Sequence, residues 1–198
     1  MTARQKFSDM MLRRGTSVDG FTSDRLLLEE CWTEFGAPDD NRPVIKSVHV
    51  RNVKLRRSLI RGAILTDVVI DGVDADRNSM FWSGNEYHRV KLVGQVGELQ
   101  IQQEVSDLSN PSHELGYLER LREVDRKSTD WGLDIRQAVG NLFIRGYSSR
   151  RIRINPETQI AVSREQAFSP KWSGIDLSAT EFDVSLNQLR KYGWDDVL

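Results

Sequence analysis

Residues 47–82 repeat with a period of five. One column of the repeat is wholly apolar and reads Val50, Leu55, Ile60, Leu65, Ile70, Ala75 and Met80. The column two residues earlier is mostly small or β-branched and reads Val48, Val53, Ser58, Ala63, Val68, Val73 and Asn78. An α-helix has a period of 3.6 residues and a strand a period of two, so neither explains this pattern. A short extended segment followed by a corner does, and its repetition is typical of a stacked coil.

These seven fives resemble the pentapeptide-repeat family, whose members wind into a right-handed quadrilateral β-helix. The central hydrophobic position of that family is matched by Val50, Leu55, Ile60, Leu65 and Ile70. Its preferred Ala or Cys two residues earlier is present as Ala63, with Ser58 as a near substitute, whereas four valines there are larger. Two alternatives for the same pattern are a wider, less regular β-helix and one or two ordinary amphipathic strands.

Three helices are predicted between the N-terminus and residue 140, outside the repeat. Thr22, Ser23 and Asp24 offer N-cap oxygens before apolar residues at helical spacing, which predicts a helix at 24–35. Asn110 followed by Pro111 predicts a second helix start, with an apolar face of Leu115, Leu118, Leu121 and Val124. A further helix is predicted from Ser128 or Thr129 to Gly140, carrying Trp131, Ile135 and Val139.

The whole chain, 1–198, is predicted to form one domain that is mostly β with helices. It comprises a lead-in and capping helix (1–43), β-helix coils (44–103), a helical insertion (110–140), and further strands with a closing helix (141–198). The five-residue spacing returns at 142–154 and at 175–182, and Ile144-Arg145-Gly146 repeats Ile60-Arg61-Gly62. A single β-helix interrupted by helices is therefore the predicted fold, with a short helix at 186–192.

A square coil makes one turn in four fives, so outward residues that are four fives apart should stack. This rule pairs opposite charges three times: Arg51 with Asp71, Lys54 with Asp74, and Arg56 with Asp76. Exposed pairs of this kind contribute only ~0–1 kcal/mol each, so their predicted role is to define register. Three other outward positions are apolar, which predicts that a helix of the chain or a partner covers them: Leu59, Ile64 and Val69.

Composition limits the classes of function. The net charge of −1 over 198 residues argues against a whole-protein DNA binder or an acidic DNA mimic. Cys31 is the only cysteine, so no internal disulfide forms, which fits a reducing cytoplasm, and a buried structural thiol is expected. Residues 1–20 show no signal-peptide pattern, and no run of 18 apolar residues predicts a membrane span.

No cofactor, metal or catalytic site is predicted. The sequence Asp74-x-Asp76-x-Asn78 begins like a calcium loop, but Ser79 and Asn85 stand where Gly and Glu are needed. Glu86 and His88, with His49 and His113, do not have a recognised zinc spacing. Phosphate loops and catalytic-triad motifs are also missing from the sequence.

The favoured function is a non-enzymatic scaffold that binds a protein partner, and its most concrete form is a bacterial immunity or inhibitor protein. Its candidate surface comprises the apolar trio and a basic cluster: Leu59, Ile64, Val69, Arg145, Tyr147, Arg150, Arg151 and Arg153. The alternative is a nucleic-acid or topoisomerase-associated member of the repeat family, for which the basic cluster is the candidate contact. A β-helical polysaccharide hydrolase or lyase is the least favoured class.

Overall fold

The computed structural model of the chain describes residues 4–37, 39–105, 111–169, 187 and 196–197. Over these residues the protein is mostly β, with one large and largely parallel sheet. The repeat predicted at 175–182 lies outside the described residues, as does the closing helix at 186–192 apart from Asn187.

The fifteen described strands follow one another in short steps along the chain. They are β1 (Gln5–Ser8), β2 (Met11–Leu12), β3 (Ser17–Asp19), β4 (Thr22–Ser23), β5 (Leu26–Glu29), β6 (Trp32–Thr33), β7 (Val44–Arg56), β8 (Ile64–Ala75), β9 (Phe81–Ser83), β10 (Glu86–His88), β11 (Val90–Gln102), β12 (Leu133–Arg145), β13 (Ile152–Arg153), β14 (Val162–Ser163) and β15 (Asp196–Val197). The described helices are α1 (Pro111–Lys127), α2 (Arg164–Ala167) and a 3-10 turn at Ser149–Arg151.

The large sheet is built by adding parallel strands in sequence order. Its central path runs β1, β5, β7, β8, β11 and β12, after which β15 and β14 follow in antiparallel orientation. The short strands β3 and β4 pair with β7, β10 with β8, β9 with β11, and β13 with β12. Strands β2 and β6 form a separate parallel pair.

The predicted register of four fives is confirmed between β7 and β8. Their pairing runs from Val44 opposite Ile64 to Leu55 opposite Ala75. The apolar columns lie face to face and inward, because buried side chains meet buried side chains at Val48 with Val68, Val50 with Ile70, and Val53 with Val73. Leu55 and Leu65 are also buried, and Ile60 is partly buried against the same core.

The five-residue period is also present in the backbone conformation. Positive φ angles recur at every fifth residue, at Ser47 (51°), Asn52 (49°), Arg57 (50°), Gly62 (67°), Asp67 (54°) and Gly72 (79°). A left-handed residue breaks the regular extension of a strand, and Gly, Asn and Asp adopt this conformation at the lowest cost. Each left-handed residue therefore directly precedes a pair of inward positions, as Asn52 precedes Val53 and Leu55.

Two of the three predicted charge pairs are confirmed as neighbours. Arg51 lies opposite Asp71, with 3.1 Å between Nε and the carboxylate, and Lys54 lies opposite Asp74, with 3.6 Å between Nζ and the carboxylate. The third pair is different, because the pairing ends at Leu55. Arg56 instead contacts Asp74 at 2.6 Å, and the backbone amide after it donates to Asp76.

The helix predicted at 24–35 is wrong. Residues Leu26–Glu29 form β5 between β1 and β7, and Trp32–Thr33 form β6 beside β2. Leu26 and Thr33 are buried, and Leu28 packs against the main core. Hydrogen bonds from strands on both sides outweigh the helical spacing of the leucines, so the N-terminal region extends the sheet and forms no capping helix among the described residues.

The helical insertion is shorter than the predicted 110–140. Helix α1 begins at Pro111 as expected and ends at Lys127, with Arg126 and Lys127 favourably placed in its last turn. Leu118 and Leu121 are buried, whereas Leu115 is exposed. The further helix predicted from Ser128 or Thr129 to Gly140 is wrong, because the chain from residue 133 onward is the long strand β12.

Strand β12 returns the chain to the main sheet. Leu142 pairs with Leu99 and Ile144 with Ile101, while Ile152 in β13 pairs with Leu133. The return of the five-residue spacing at 142–154 therefore marks strands of the same sheet. Because β11 and β12 are neighbours, α1 projects from the connection between them.

Candidate functional site

Three members of the predicted basic cluster are buried and hold the fold together. Arg145 donates to the Gln100 side chain at 2.9 Å, and the Tyr147 hydroxyl donates to the Asn85 carbonyl at 2.7 Å. Burial raises the pKa of Tyr147 well above its usual value, so its hydroxyl stays protonated. Arg151 is buried as well, and these three side chains are therefore not accessible to a partner.

Arg151 links helix α1 to the sheet. Its guanidinium contacts the Asp125 carboxylate at 2.9 Å and donates to the Tyr87 carbonyl at 2.8 Å. Of the predicted cluster, Arg150 and Arg153 are exposed, and Arg153 lies over the Trp131 ring at 4.6 Å. The predicted basic surface is thus reduced to two arginines, one of which stacks on an aromatic ring.

The three outward apolar positions are placed differently from one another. Ile64 is partly buried between Val44 and Glu86 on the neighbouring strands. Val69 is partly buried in the same way, between His49 and Lys91. Adjacent side chains of the sheet flank these two positions, whereas Leu59 is 39% exposed.

Leu59 belongs to a row of exposed apolar side chains that crosses four successive segments of the chain. Met11 pairs with Trp32 in the small sheet, and a parallel bridge joins Trp32 to Leu59. The next bridge, Arg61 with Ser83, puts Phe81 at the position that follows Leu59 in the same direction. We call these four residues the apolar row, and their exposed fractions are 46% for Met11 and 39% each for Trp32, Leu59 and Phe81.

The surface next to the apolar row carries charges that are already paired. Glu30 and Arg57 lie two residues before Trp32 and Leu59, and they form an ion pair at 2.5 Å. On the β7–β8 face, hydrogen bonding from Arg56 lowers the pKa of Asp74, which Lys54 also contacts. The apolar row is therefore bordered by neutralised surface, and a partner gains little from charge there.

A buried polar cluster lies beneath α1. The Glu86 carboxylate accepts hydrogen bonds from Arg42, whose side chain is fully buried, and lies 2.7 Å from His88 Nε2. Arg120 of α1 lies 3.6 Å from the same carboxylate and contacts Asp40 at 2.7 Å. Burial by itself raises the pKa of Glu86, but His88 and Arg42 outweigh it and lower the pKa to about 2. The Glu86 carboxylate is therefore engaged in contacts within the fold, and its role is structural.

Helix α1 is also anchored through an aromatic contact. Tyr117 is buried and stacks on Phe35 with the ring centroids 5.0 Å apart, and Arg61 lies 4.4 Å from the Phe35 centroid. The loop after β6 and the bend at Gly62 therefore meet the helix at one place. The cluster beneath α1 and this contact together fix the insertion on the sheet.

The acidic residues of the rejected calcium loop have other partners. The Asp76 carboxylate accepts from the Ser79 hydroxyl at 2.7 Å and from the amides of Arg57 and Asn78. It closes a tight turn after β8. In the part of the chain that the structure describes, no group of three or more His, Cys, Asp or Glu side chains is arranged to hold a metal ion.

Comparisons with protein-family models, with curated proteins and with solved structures find no match to this chain. The fold and the surfaces above therefore carry the functional argument alone. Among the described residues, the helices are too short or too polar to span a membrane.

Sequence reasoning identifies Leu59 in the apolar row and misses the other three members. The helical spacing assigns Trp32 to a helix, and Phe81 lies at the end of the repeat without a predicted partner. The signal that connects them is the register, in which Trp32 bridges to Leu59 and Arg61 bridges to Ser83. The residues joined by these two bridges are separated by different numbers of residues, and both separations exceed four fives. A repeat of fixed length therefore does not predict either contact.

Proposed function

We propose that this chain is a non-enzymatic scaffold that binds a protein partner, built as a right-handed β-helix of the pentapeptide-repeat type. The register of four fives between β7 and β8 supports that architecture, as do the positive φ angles at every fifth residue from 47 to 72. Parallel strands that follow each other in chain order also suit a stacked coil. The helical insertion α1 is then a decoration on one face of the coil.

The observation that carries the function is the apolar row. Its four side chains lie in adjacent positions and remain 39–46% exposed, whereas single exposed apolar residues are ordinary on any surface. Adjacent strands lie about 4.8 Å apart, so four positions span about 14 Å. A helix rises 1.5 Å per residue, so about ten residues of a partner helix cover this length.

The partner that fits is therefore an amphipathic helix with apolar residues at i, i+3, i+4 and i+7. Paired charges beside the row favour a partner whose contact side is uncharged. A scaffold that covers a functional helix of another protein acts as an inhibitor, which is the immunity-type role that we propose for this chain. The nucleic-acid alternative loses its support, because Arg145 and Arg151 are buried.

Site-specific photocrosslinking tests this proposal. A benzophenone side chain is placed at Leu59 or Phe81, and at the control position Val139, which is exposed but lies outside the row. We expect crosslinks from Leu59 and Phe81 to one protein, within a segment that has the apolar spacing of an amphipathic helix. Trp32→Ser should abolish these crosslinks without changing the melting temperature by more than a few degrees.

Three results would contradict the proposal. These are equal crosslinking from Val139, crosslinks only to nucleic acid, and crosslinks only within the chain or between two copies of it. The last result would assign the apolar row to assembly of the chain itself.

A further inference from the structure

The interior beneath the N-terminal strands is not completely filled. A cavity of about 270 Å³ lies there, lined by residues from β1 to β9. An engineered cavity of about 150 Å³ in another protein is large enough to bind benzene. The space here is nearly twice as large, so it accommodates a molecule of about two fused rings.

The described lining of this cavity carries no Asp, Glu, Lys, Arg or His. Its polar members are nearly all engaged in hydrogen bonds with the backbone. Ser58 Oγ accepts from the Cys31 amide at 3.1 Å, and Thr33 Oγ1 donates to the Arg61 carbonyl at 2.6 Å. A charged ligand would lose its hydration and gain no counter-ion, so the lining selects against charge.

Trp82 forms part of the wall of the cavity. It is 1% exposed, and its indole Nε1 is buried in the protein rather than open to the cavity. The wall at Trp82 therefore offers a ligand apolar surface and no accessible donor, which favours an apolar molecule.

The cavity also has a route to the surface. Four of its lining residues are exposed: Met10, Met11, Trp32 and Leu59. Met10 and Met11 are exposed and flexible, so their side chains move aside more easily than a packed core does. A small molecule can therefore enter without unfolding of the sheet.

We propose that this cavity binds an uncharged, apolar small molecule of about two fused rings. The apolar walls hold it by burying its surface, and the lining selects against charge. The proposal does not rest on the protein partner, because the inner lining of the cavity carries it. Met11, Trp32 and Leu59 belong both to the apolar row and to the rim of the cavity, so a partner bound to the row would cover the entrance.

A displacement titration tests this binding. The uncharged fluorophore N-phenyl-1-naphthylamine is bound first and then displaced by 1-tetralone, by tetralin, or by 1-naphthoate. We expect saturable 1:1 binding of the fluorophore and displacement by both neutral bicyclic compounds. The naphthoate anion should displace it at least ten times less effectively, because its charge has no counter-ion in the described lining.

Variants assign the binding to the cavity. Val53→Phe fills the cavity and should abolish binding, whereas Val139→Phe adds the same ring outside it and should leave binding unchanged.

Cys31 supplies a second measurement that needs no variant. It lines the cavity and is the only cysteine of the chain, so bound ligand should slow its alkylation by N-ethylmaleimide. The proposal is overturned if the folded protein binds neither bicyclic compound and Cys31 is not protected. It is also overturned if Val53→Phe binds as well as the wild type.

Discussion

The two halves of the sheet differ in how well their interiors are filled. A cavity of about 270 Å³ lies beneath the strands up to β9. Beneath β11 and β12, Leu92, Leu99 and Ile101 are almost completely buried, and the space near Glu86 measures only about 10 Å³. The same kind of strand therefore encloses an incompletely filled interior in one half and a close-packed core in the other.

Truncation of a core leucine should have the largest effect on stability, and its cost should differ between the two halves. Leu99→Ala removes contacts on all sides and is expected to lower the free energy of unfolding by about 4 kcal/mol. Leu28→Ala borders the existing cavity and should cost about 2 kcal/mol, because Leu28 is only partly buried and fewer contacts are lost on its open side. Urea denaturation of both variants measures the difference. Equal costs would mean that the N-terminal cavity is closed in solution.

Acid should weaken the packed half through Glu86. Its pKa is about 2 in the folded protein and 4.5 as its reference value, so its stabilisation is complete above about pH 4.5. It is lost as the pH falls towards 2, and it amounts to on the order of 3 kcal/mol. Urea denaturation of the wild type and of Glu86→Gln from pH 7 to pH 2.5 tests this. The quantity of interest is the difference between their free energies of unfolding as a function of pH.

The difference curve for Glu86 isolates one group among several acids. Burial raises the pKa of Asp125 despite the nearby Arg151, so that group contributes in the opposite direction: its stabilisation is lost as the pH rises through its folded value. Because Asp125 is present in both proteins, its effect cancels. A difference that stays constant with pH would disprove the role assigned to Glu86.

Enlarging a buried valine should have effects of different sign in the two halves. Val96→Phe overfills the packed core and is expected to cost about 1–3 kcal/mol. Val53→Phe enters the cavity and should be neutral or stabilise by up to about 1 kcal/mol. Thermal unfolding of the two variants tests this, and destabilisation of the same size at both sites would contradict the comparison.

The smallest effect concerns the bends that both halves share. Ser47 has a φ of 51°, at which a residue with a side chain is strained, so Ser47→Gly should stabilise by about 0.5–1 kcal/mol. Ser17→Gly is the control, since this exposed serine lies in an ordinary strand and its replacement should destabilise the protein or leave its stability unchanged. Chemical denaturation of both variants measures the effect, and a loss of stability in Ser47→Gly would argue against the left-handed conformation.

Strand register is predicted best where the repeat has a constant length. Between 44 and 75 the apolar columns and the opposite charges recur after four fives, and the pairing of β7 with β8 follows from them. Secondary structure is predicted worst where the same residues fit both a helical spacing and the five-residue spacing. Leu27, Leu28, Cys31 and Trp32 have helical spacing, yet Leu26, Leu28, Cys31 and Thr33 repeat the paired spacing of the fives. Only the neighbouring strands decide between them.

The candidate sites are less predictable than the fold. Leu59 is visible in the sequence because an apolar residue stands in an outward column, but Trp32 and Phe81 join it only through registers of unequal length. In the sequence, the buried arginines resemble an exposed basic cluster. The sequence does not reveal that an arginine such as Arg151 has a buried carboxylate partner, Asp125. A cavity depends on the volumes left between side chains, which no local pattern records.

The position of β1 has a consequence for anyone who handles or redesigns this protein. β1 is the last strand on its side of the sheet, so one row of its backbone groups has no strand neighbour among the described residues. It is only four residues long and carries Lys6, two features that discourage edge-to-edge aggregation. An apolar affinity tag fused before residue 4 would lengthen this edge and promote fibres, whereas a tag rich in lysine or proline would protect it.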